Sequence, residues 1–539
     1  MATLKRPPKG KRASQGDLSG SEAGAIQKKW TGKIPVCVVF PNTYYMGMSN
    51  LAVHMLYKKL NQMDNVVCER CFYDGATKPL SLESARPLSS FDIIFFTLSF
   101  ELDYINIPKM LATSSIRLNA RERTDKEPIL VGGGICVMSN PEPLHNLFDL
   151  FIMGDIETTV EPFMETYADL RGADRQAILD ELSAFEWAYN PTRLDVTYNE
   201  DGTVRSFVPE AFHVKMSHYR GKTLGASAIV TDKTEFSRMF LVEGTRGCPS
   251  RCPFCLIGNV YDFIYDNTIC TTPDVPNMGI LGGGVSFYPG IEEIVKKARE
   301  GGIKIHLPSM RIDKVPLELI RLMQDEIKTL TFGIEAATER LRRFIGKPLT
   351  DEAIYERVNT ILDIKPFHLK LYFMVGLYGE TGEDIERIAE LTKKIKHIMV
   401  KGGAKKGFVG AITVHVSPFV PKPATPFQWL PMDHMESLKK KIGWLKKAFG
   451  AIDNTYFTHE SVKFSFLQAV LSRGDRKVGD VISRLAAGET FSRVLTDSPV
   501  NLNFYALRQR SEKEVFPWDF ITTDASKKQL WQRLVAALA

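Results

Sequence analysis

The sequence comprises 539 residues, of which 44% are hydrophobic and 24% are charged. A chain of this length is too long to fold around one ordinary hydrophobic core. The composition is that of a globular protein, which excludes collagen-like and low-complexity classes. The formal net charge is +6. The whole excess lies in residues 1–33, so the main body is neutral and is not a basic platform for nucleic acid.

Targeting signals and cysteine usage indicate the cellular compartment in which we expect the protein. No run of about 18 apolar residues is present, so we expect no membrane span. The N-terminus lacks the apolar region of a secretory signal, and we expect a cytoplasmic protein. Eight cysteines in a chain of this length do not predict a disulfide scaffold, but three of them lie within eight residues. In a reducing compartment such clustering indicates a metal centre.

Composition shifts predict an N-terminal tail followed by a first domain. Residues 1–32 lack apolar periodicity and predict a disordered basic tail. Over residues 33–168, short apolar runs alternate with helical stretches, which predicts an α/β domain with a doubly wound, Rossmann-like parallel sheet. Ligands bind such sheets at the loops that follow the strands. Those loops are Asn42–Gly47, Ser99–Glu101, Gly132–Gly134 and Gly154–Asp155.

Three further regions follow along the chain. Residues 169–236 form a connector in which Asp201-Gly202 predicts a β-hairpin. Residues 237–425 contain six strand–helix repeats, which predict a partial (β/α)6 barrel with its active face at the carboxyl ends of the strands. Residues 426–539 are predicted to be mostly helical. Their first helix is amphipathic with a basic outer face, and packing on the core is favoured over membrane or calmodulin-type binding.

The segment GTRGCPSRCPFCLIG, residues 244–258, carries the most specific motif. Cys248, Cys252 and Cys255 follow the first barrel strand, and thiolates are the usual ligands of iron–sulfur clusters. Three close cysteines hold three irons of a [4Fe–4S] cube, which leaves the fourth iron open to a substrate or cofactor. Three alternatives stay open: a structural zinc site, an electron-transfer cluster completed by Cys270, and chance spacing.

This pattern, with Phe254 before the third cysteine, resembles the radical S-adenosylmethionine (radical SAM) superfamily. The segment ILGGGVSFYPGIEEI (280–294) corresponds to the family's glycine-rich strand. Other segments resemble the branch that carries an N-terminal cobalamin (B12)-binding domain. They are PNTYYMGMSNL (41–51), VGGGICVMSNPEPL (131–144), LPSMRID (307–313), FGIEAATERLRR (332–343), LYFMVGLYGET (371–381) and VSPFVPKPATPFQW (416–429). FLQAVLSRGDRKVGDVI (466–482) resembles a C-terminal segment of uncharacterised members.

The resemblance implies a chemistry and a set of SAM contacts. The open iron would bind the amino and carboxylate groups of SAM, and one electron, from a donor such as flavodoxin or ferredoxin, would cleave it to methionine and a 5′-deoxyadenosyl radical. Glu335 would accept a hydrogen bond from the amine or ribose, and Ser309 and Arg311 would hold the carboxylate or ribose. An ion pair of Arg311 with a nearby carboxylate is the alternative. The glycines that would let the backbone approach SAM closely are Gly282, Gly283 and Gly284.

The resemblance also implies a cobalamin over the barrel mouth. Ser99 and the glycines Gly132, Gly133 and Gly134 would border its nucleotide tail. The motif Asp-x-His-x-x-Gly is absent and His54 lies among apolar residues, so we expect no histidine ligand from the protein. The lower face of the cobalt would meet water or a side chain of the Asn42–Gly47 loop. A degenerate domain that keeps the fold and has lost the ligand is the alternative.

The remaining cysteines are interpreted as packing residues. Cys68 and Cys71 lie on one predicted strand, where a period of two places them on opposite faces and disfavours joint metal binding. Methylthiolating relatives need a second cluster, for which Cys37, Cys71 and Cys136 are candidates. Their surroundings do not resemble that group.

Three functions are compatible with these patterns, and the first is favoured. It is a cobalamin-dependent radical SAM methyltransferase acting on an unactivated centre. The second is a radical SAM enzyme of other outcome, such as cyclisation or carbon–carbon coupling. The third is a non-enzymatic nucleic-acid or membrane binding protein that uses the basic tail and the Lys439–Lys447 helix, which leaves the cysteine motif unexplained. No specific nucleic acid is expected as a partner, and no motif identifies the substrate.

Overall fold

A computed structural model describes residues 20–75, 78–269 and 275–539. The fold is mixed α/β, and parallel sheets form both halves of the chain. Among the described residues, every helix is too short or too polar to cross a lipid bilayer.

The N-terminal sheet has six strands, of which the first five are parallel and the last is antiparallel. Its strands are β1 (Ile34–Phe40), β2 (Val66–Phe72), β3 (Ile93–Thr97), β4 (Ile129–Gly133), β5 (Leu150–Ile152) and β6 (Ala188–Tyr189). The spatial order is β2-β1-β3-β4-β5-β6. The chain therefore changes direction between β1 and β3, and ligands of open parallel sheets bind beyond the strand carboxyl ends at such a point.

Helices connect and cover these strands. They are α1 (Tyr44–Gly47), α2 (Leu51–Gln62), α3 (Asn106–Thr113), α4 (Ile135–Ser139), α5 (Ile156–Leu170) and α6 (Arg175–Leu182). All seven residues of β1 are buried, and alternate residues belong to two separate apolar cores on the two faces of the sheet. Cys68 packs in one core and Cys71 in the other, which confirms the prediction for this pair. The predicted parallel sheet is also confirmed.

The disordered tail predicted through residue 32 is wrong for residues 20–32, which pack against the N-terminal domain. The strand Glu22–Ala23 pairs antiparallel with a strand of the connector. An Oε2 to Nη2 distance of 2.7 Å joins Glu22 to the buried Arg70, and the Trp30 indole N–H donates to Glu69 at 2.7 Å. A buried ion pair fixes this segment, and apolar periodicity does not reveal such a pair. Residues 1–19 lie outside the described part of the chain.

The connector contains the predicted hairpin. Its strands Asp195–Tyr198 and Val204–Val208 pair antiparallel around the turn at Asp201-Gly202. A further strand, Val214–Lys215, pairs in parallel with Ile521–Thr522 near the C-terminus. The end of the chain therefore folds back onto the connector.

In the described part of the C-terminal half, seven parallel strands form two segments, β7-β8-β9 and β10-β11-β12-β13. They are β7 (Phe240–Glu243), β8 (Asn277–Leu281), β9 (Lys304–His306), β10 (Thr329–Glu335), β11 (His368–Val375), β12 (Ile412–Pro418) and β13 (Thr455–His459). A parallel bridge from Met310 to Phe332 links the segments. The six predicted strands are present. The seventh, β13, corrects the expectation that the repeats end at residue 425, because it lies in the region expected to be helical.

The helices of this half follow the predicted order. They are α7 (Leu256–Val260), α8 (Ile291–Glu300), α9 (Leu317–Met323), α10 (Glu339–Phe344), α11 (Asp351–Ile364), α12 (Gly382–Ala404) and α13 (Met435–Gly450). The C-terminal helices are α14 (Val462–Arg473), α15 (Val478–Ala486), α16 (Phe491–Asp497), α17 (Leu502–Ala506) and α18 (Lys527–Leu538). The apolar face of α13 is buried on the core, as its amphipathic pattern predicted.

Candidate functional site

The three cysteines of the predicted motif lie on a loop that the structure closes at its base. The loop follows β7, and the flanking strands Thr245–Arg246 and Ile264–Tyr265 pair antiparallel. Gly247 has φ +71°, and a Cβ there would lie 2.3 Å from the carbonyl oxygen of Asp262. Only glycine fits this position, so the turn is specified locally. We call residues 247–260 the cluster loop.

One amide side chain holds the cluster loop from within. Asn259 is buried, and its Nδ2 donates to the carbonyl oxygens of Cys252 at 3.0 Å and Cys255 at 2.7 Å. Cys252 is buried, whereas Cys248 and Cys255 are partly exposed. The loop backbone is therefore fixed while two of the three cysteines stay accessible.

The thiols lie close to one another and to two cations. Burial is the main cause that raises the pKa of Cys252 to about 11; Lys347 and Arg311 oppose this rise, and Cys255 and Cys248 add to it. Thiols that disfavour one another's ionised forms need a cationic partner to bind as thiolates. This donor set fits an iron–sulfur cluster, which supplies that positive charge.

Across residues 20–75, 78–269 and 275–539, no three Asp, Glu, His or Cys side chains converge on one metal-ion position. Cys270, proposed as a fourth cluster ligand in one alternative, lies outside the described residues.

The glycine segment after β8 packs directly against the cluster loop. Gly282 has φ +146°, and a Cβ there would lie 2.2 Å from Oγ1 of Thr245. A Cβ on Gly284 would lie 2.6 Å from the Phe263 ring, whereas one on Gly283 would meet no atom closer than 3.2 Å. Two of the three glycines are thus explained by contact between β8 and the loop region. Close approach to SAM stays a prediction, and Gly283 has the most room for it.

The predicted contacts after β9 differ in environment. Ser309 is exposed, and Phe254 is half-buried against the main core. Arg311 pairs with Asp313, with Nη2 3.0 Å from Oδ2, and its Nη1 donates to Oγ of Ser250 in the cluster loop at 3.3 Å. The alternative of a local ion pair for Arg311 is therefore realised, and the same guanidinium also contacts the loop. A role in binding SAM stays a prediction for all three residues.

Glu335 ends β10 in a strained conformation. Its φ is +67°, and the register of β10 against β11 shifts between Gly333 and Glu335. The Lys347 ammonium lies 3.0 Å from Oε1 of Glu335 and donates to the carbonyl of Gly333 at 2.8 Å. The sequence reasoning missed Lys347, because no motif marks it and its partner lies on another element.

A cleft of about 360 Å³ separates the carboxyl end of the N-terminal sheet from the cluster loop. On the sheet side it is lined by Ser99, Gly132, Gly133, Gly134 and Asp155, among others. On the opposite side it is lined by Gly247, Ile257, Tyr261, Gly282 and Gly283. Residues predicted separately, from strand ends and from the glycine-rich strand, therefore face one another across a single cleft.

The three glycines after β4 have different reasons to be glycine. Gly134 has φ +108°, and a Cβ there would lie 2.7 Å from the carbonyl oxygen of Leu98. A Cβ on Gly132 would lie 2.7 Å from the Phe151 ring. A Cβ on Gly133 would meet no atom within 4 Å. Gly133 therefore presents bare backbone to the cleft without a packing requirement of its own.

The Asn42–Gly47 loop, expected to face the cobalt, is not part of the described cleft lining. The Nδ2 of Asn42 donates instead to the buried Asp103 at 2.7 Å, and the start of α2 lines the cleft in its place. His54 is buried, with Nε2 3.0 Å from the carbonyl oxygen of Met48, and burial lowers its pKa to about 4. His54 is therefore a packed core histidine, as its position among apolar residues indicated.

An arginine that the sequence did not single out joins the two halves at the cleft. Arg246 precedes the cluster loop, and its guanidinium lies 3.1 Å from Asp155, 2.8 Å from Glu157 and 2.7 Å from Glu243. Asp155 and Glu157 begin α5 of the N-terminal domain. This buried network fixes the orientation of the loop base toward the N-terminal sheet.

Two family models match the chain. Residues 52–191 match the model described as "Radical SAM proteins, N-terminal", and residues 242–392 match the one described as "Radical SAM superfamily". Together the matches cover more than half of the chain. Residues 242–392, which carry the cysteine motif, therefore contain a radical SAM domain, as the motif predicted, and a domain of this family implies a [4Fe–4S] cluster and SAM.

Individual proteins are similar to this chain over long stretches of its sequence or structure. "Uncharacterized protein MJ0966" of Methanocaldococcus jannaschii is 29% identical over 82% of this chain and 89% of its own length. "Uncharacterized methyltransferase PH0819" of Pyrococcus horikoshii is 22% identical over 58% of this chain and 68% of its own length. The solved structure of the cobalamin-dependent SAM radical enzyme OxsB, with aqua-cobalamin and SAM bound, gives a TM-score of 0.46 at 12% identity. That match covers 94% of this chain and 80% of the OxsB chain.

Proposed function

We propose that this radical SAM enzyme binds cobalamin in the cleft between its two sheets and transfers a methyl group to an unactivated centre. The observation that carries the proposal is the cleft itself. It brings the carboxyl end of a parallel sheet, where ligands of such folds bind, against the loop that carries Cys248, Cys252 and Cys255. A distant relative bears the name methyltransferase, which agrees with this reaction class.

The chain's own residues prepare the cluster side of the reaction. Cys248, Cys252 and Cys255 would hold the cluster, which supplies one electron for the cleavage of SAM. Lys347 and Arg311 place positive charge near the thiolates and favour their ionised form. The same Lys347 holds the Glu335 carboxylate in place, ready to accept a hydrogen bond from the SAM amine.

The sheet side of the cleft offers open backbone and a fixed hydroxyl to a ligand. Gly133 has free space beside its backbone, and Ser99 already accepts a hydrogen bond from Asn50 at 2.7 Å, which fixes its hydroxyl at the rim. The described lining residues include no histidine. The expectation that the cobalt receives no histidine ligand from the protein stays a prediction.

The experiment loads the anaerobically reconstituted protein with hydroxocobalamin, removes free ligand by gel filtration and measures the cobalamin retained. We expect about one cobalamin per chain in the wild type, as for a buried cofactor site. Gly133→Phe fills the open side of the cleft and is expected to lose cobalamin while it keeps SAM cleavage. Gly382→Phe is the matched control, because a Cβ at Gly382 also meets no atom within 4 Å and the residue lies outside the cleft lining.

Product analysis tests methyl transfer separately. Candidate extracts are incubated with SAM labelled in its methyl group, flavodoxin or ferredoxin as electron donor, and the loaded enzyme. We expect label in the product. A wild type that cleaves SAM and retains no cobalamin would contradict the proposal and favour a radical SAM reaction of other outcome, such as cyclisation or carbon–carbon coupling.

A further inference from the structure

The last helix of the chain reaches the cluster loop, although the family matches end at residue 392. Arg533 of α18 donates from Nη1 to Oδ1 of Asn259 at 2.6 Å, and its Nη2 donates to the carbonyl oxygen of Arg251. Asn259 in turn donates to the carbonyl oxygens of Cys252 and Cys255. A path of two hydrogen bonds thus joins α18 to the backbone of two predicted cluster ligands.

The amide of Asn259 is oriented by its partners. It is 8% exposed, its Nδ2 makes two hydrogen bonds and its Oδ1 accepts one from Arg533. Removal of the Arg533 guanidinium leaves Oδ1 without this donor in a buried position, which is costly and removes a contact that opposes rotation of the amide. Rotation would break the bonds that hold the two cysteine backbones.

A second contact docks α18 beside the loop. Trp531 packs edge-on against the buried Trp429, with ring centroids 5.1 Å apart, and Leu530 and Leu534 are buried on the same face of the helix. Trp429 ends the short 3-10 segment Pro426–Trp429. Within that segment, the N–H of Phe427 donates to the carbonyl oxygen of Pro253 in the cluster loop at 3.1 Å. The helix therefore rests on a segment that itself holds the loop.

The charge of Arg533 also acts on the site. Burial and the neighbouring Arg251 lower the pKa of Arg533, whereas Cys252 raises it. The guanidinium is therefore within electrostatic range of a predicted cluster ligand. A cation near a cluster favours the more negative, reduced state of that cluster.

We propose that α18 is a latch for the cluster loop and that Arg533 is its positioning residue. Arg533 fixes the amide of Asn259, and Asn259 fixes the backbone of Cys252 and Cys255. The proposal rests on the assignment of the cysteines as cluster ligands within the proposed function, and it requires neither cobalamin nor methyl transfer.

The first test measures amide hydrogen exchange in the full-length protein without its cluster. Arg533→Gln keeps part of the side chain's stem and removes the guanidinium. We expect the amides of residues 248–260 to exchange about tenfold faster, because the loop opens locally. Gln532→Ala, an exposed change one position away on α18, is the matched control and is expected to leave exchange unchanged.

The second test separates geometry from charge in the cluster-loaded protein. Arg533→Lys keeps the positive charge but cannot make both hydrogen bonds of the guanidinium. The amides of residues 248–260 are therefore expected to exchange as fast in Arg533→Lys as in Arg533→Gln. The reduction potential of the cluster is expected to fall in Arg533→Gln and to stay near the wild-type value in Arg533→Lys. If Arg533→Gln does not fold, the exchange of Arg533→Lys alone decides the question.

Wild-type exchange rates in both variants would overturn the latch and leave the proposed function intact. Loss of cobalamin binding in the wild type would overturn the proposed function and leave the latch intact. Faster exchange throughout the chain, and not in residues 248–260, would also contradict the proposal, because it would assign Arg533 a role in global stability alone.

Discussion

Lys347 forms an ion pair with Glu335, whose backbone is left-handed, with Nζ 3.0 Å from Oε1 and φ of +67° at the glutamate. A non-glycine residue in this conformation costs about 1 kcal/mol or more, and it persists only where its surroundings hold it in place. The Lys347 ammonium also donates to the carbonyl of Gly333 across the bulge, and this second contact restricts its position. The strand end is therefore strained where the proposed SAM contact lies.

Two substitutions at Glu335 test this relationship. Glu335→Gly relieves the left-handed strain but leaves the Lys347 ammonium without its carboxylate, so stability is expected to change by no more than about 1 kcal/mol, whereas SAM binding is expected to weaken. Glu335→Gln keeps the strain, removes the charge and is also expected to weaken binding. Thermal unfolding and SAM titration of the reconstituted protein measure both effects. Normal SAM binding by the glycine variant would show that the carboxylate has no part in holding SAM.

The cluster assignment predicts the loss of iron in one variant. Cys252→Ala removes a thiolate from the cluster loop, and the anaerobically reconstituted protein is expected to lose its broad absorption near about 400 nm together with SAM cleavage. Cys68→Ala is the control, because Cys68 lies in the N-terminal core. It is expected to keep its iron and to lose about 1 kcal/mol of stability from the small cavity. Equal iron content in both variants would refute the assignment.

The packed N-terminal segment predicts different results for two truncations. Deletion of residues 1–19 leaves the contacts of Glu22 and Trp30 in place and is expected to leave stability unchanged. Deletion of residues 1–30 removes a partner of the buried Arg70 and is expected to cost about 2 kcal/mol or more of unfolding free energy. Urea unfolding measures the difference. Glu22→Gln isolates the ion pair, and equal midpoints for all forms would contradict this view of the segment.

Asp103 predicts a pH-dependent change in stability. Burial raises its pKa to about 7 despite a hydrogen bond from Asn42. Because the folded state holds this proton more tightly than the unfolded state, stability contributed by the neutral form is lost as the pH rises from about 4 through 7. Asp103→Asn removes the titration and is expected to raise the unfolding temperature relative to wild type at pH 8 but little at pH 5. The same difference at both pH values would contradict the assignment.

The sequence predicted those elements whose structure depends on residues that are close together in the chain. Each face of a fully buried strand such as Ile34–Phe40 must be apolar, so a short continuous apolar run identified it. The cysteine motif was equally readable, because its three cysteines lie on one loop whose turn at Gly247 admits only glycine. The seventh parallel strand, Thr455–His459, was missed because three of its five residues are exposed and its apolar signal is weak.

The sequence by itself determined the class of chemistry and the strand ends that could bear a ligand. Only the tertiary structure decided which of those strand ends meet across one cleft, and which side chains hold the cluster loop. Arg533 and Asn259 are 274 residues apart, and Arg246 pairs with Glu157 over 89 residues. Motifs record local backbone requirements, whereas an ion pair or hydrogen bond depends only on where two distant elements come together. For this reason the sequence revealed the cysteine motif but not the distant side chains that hold the cluster loop.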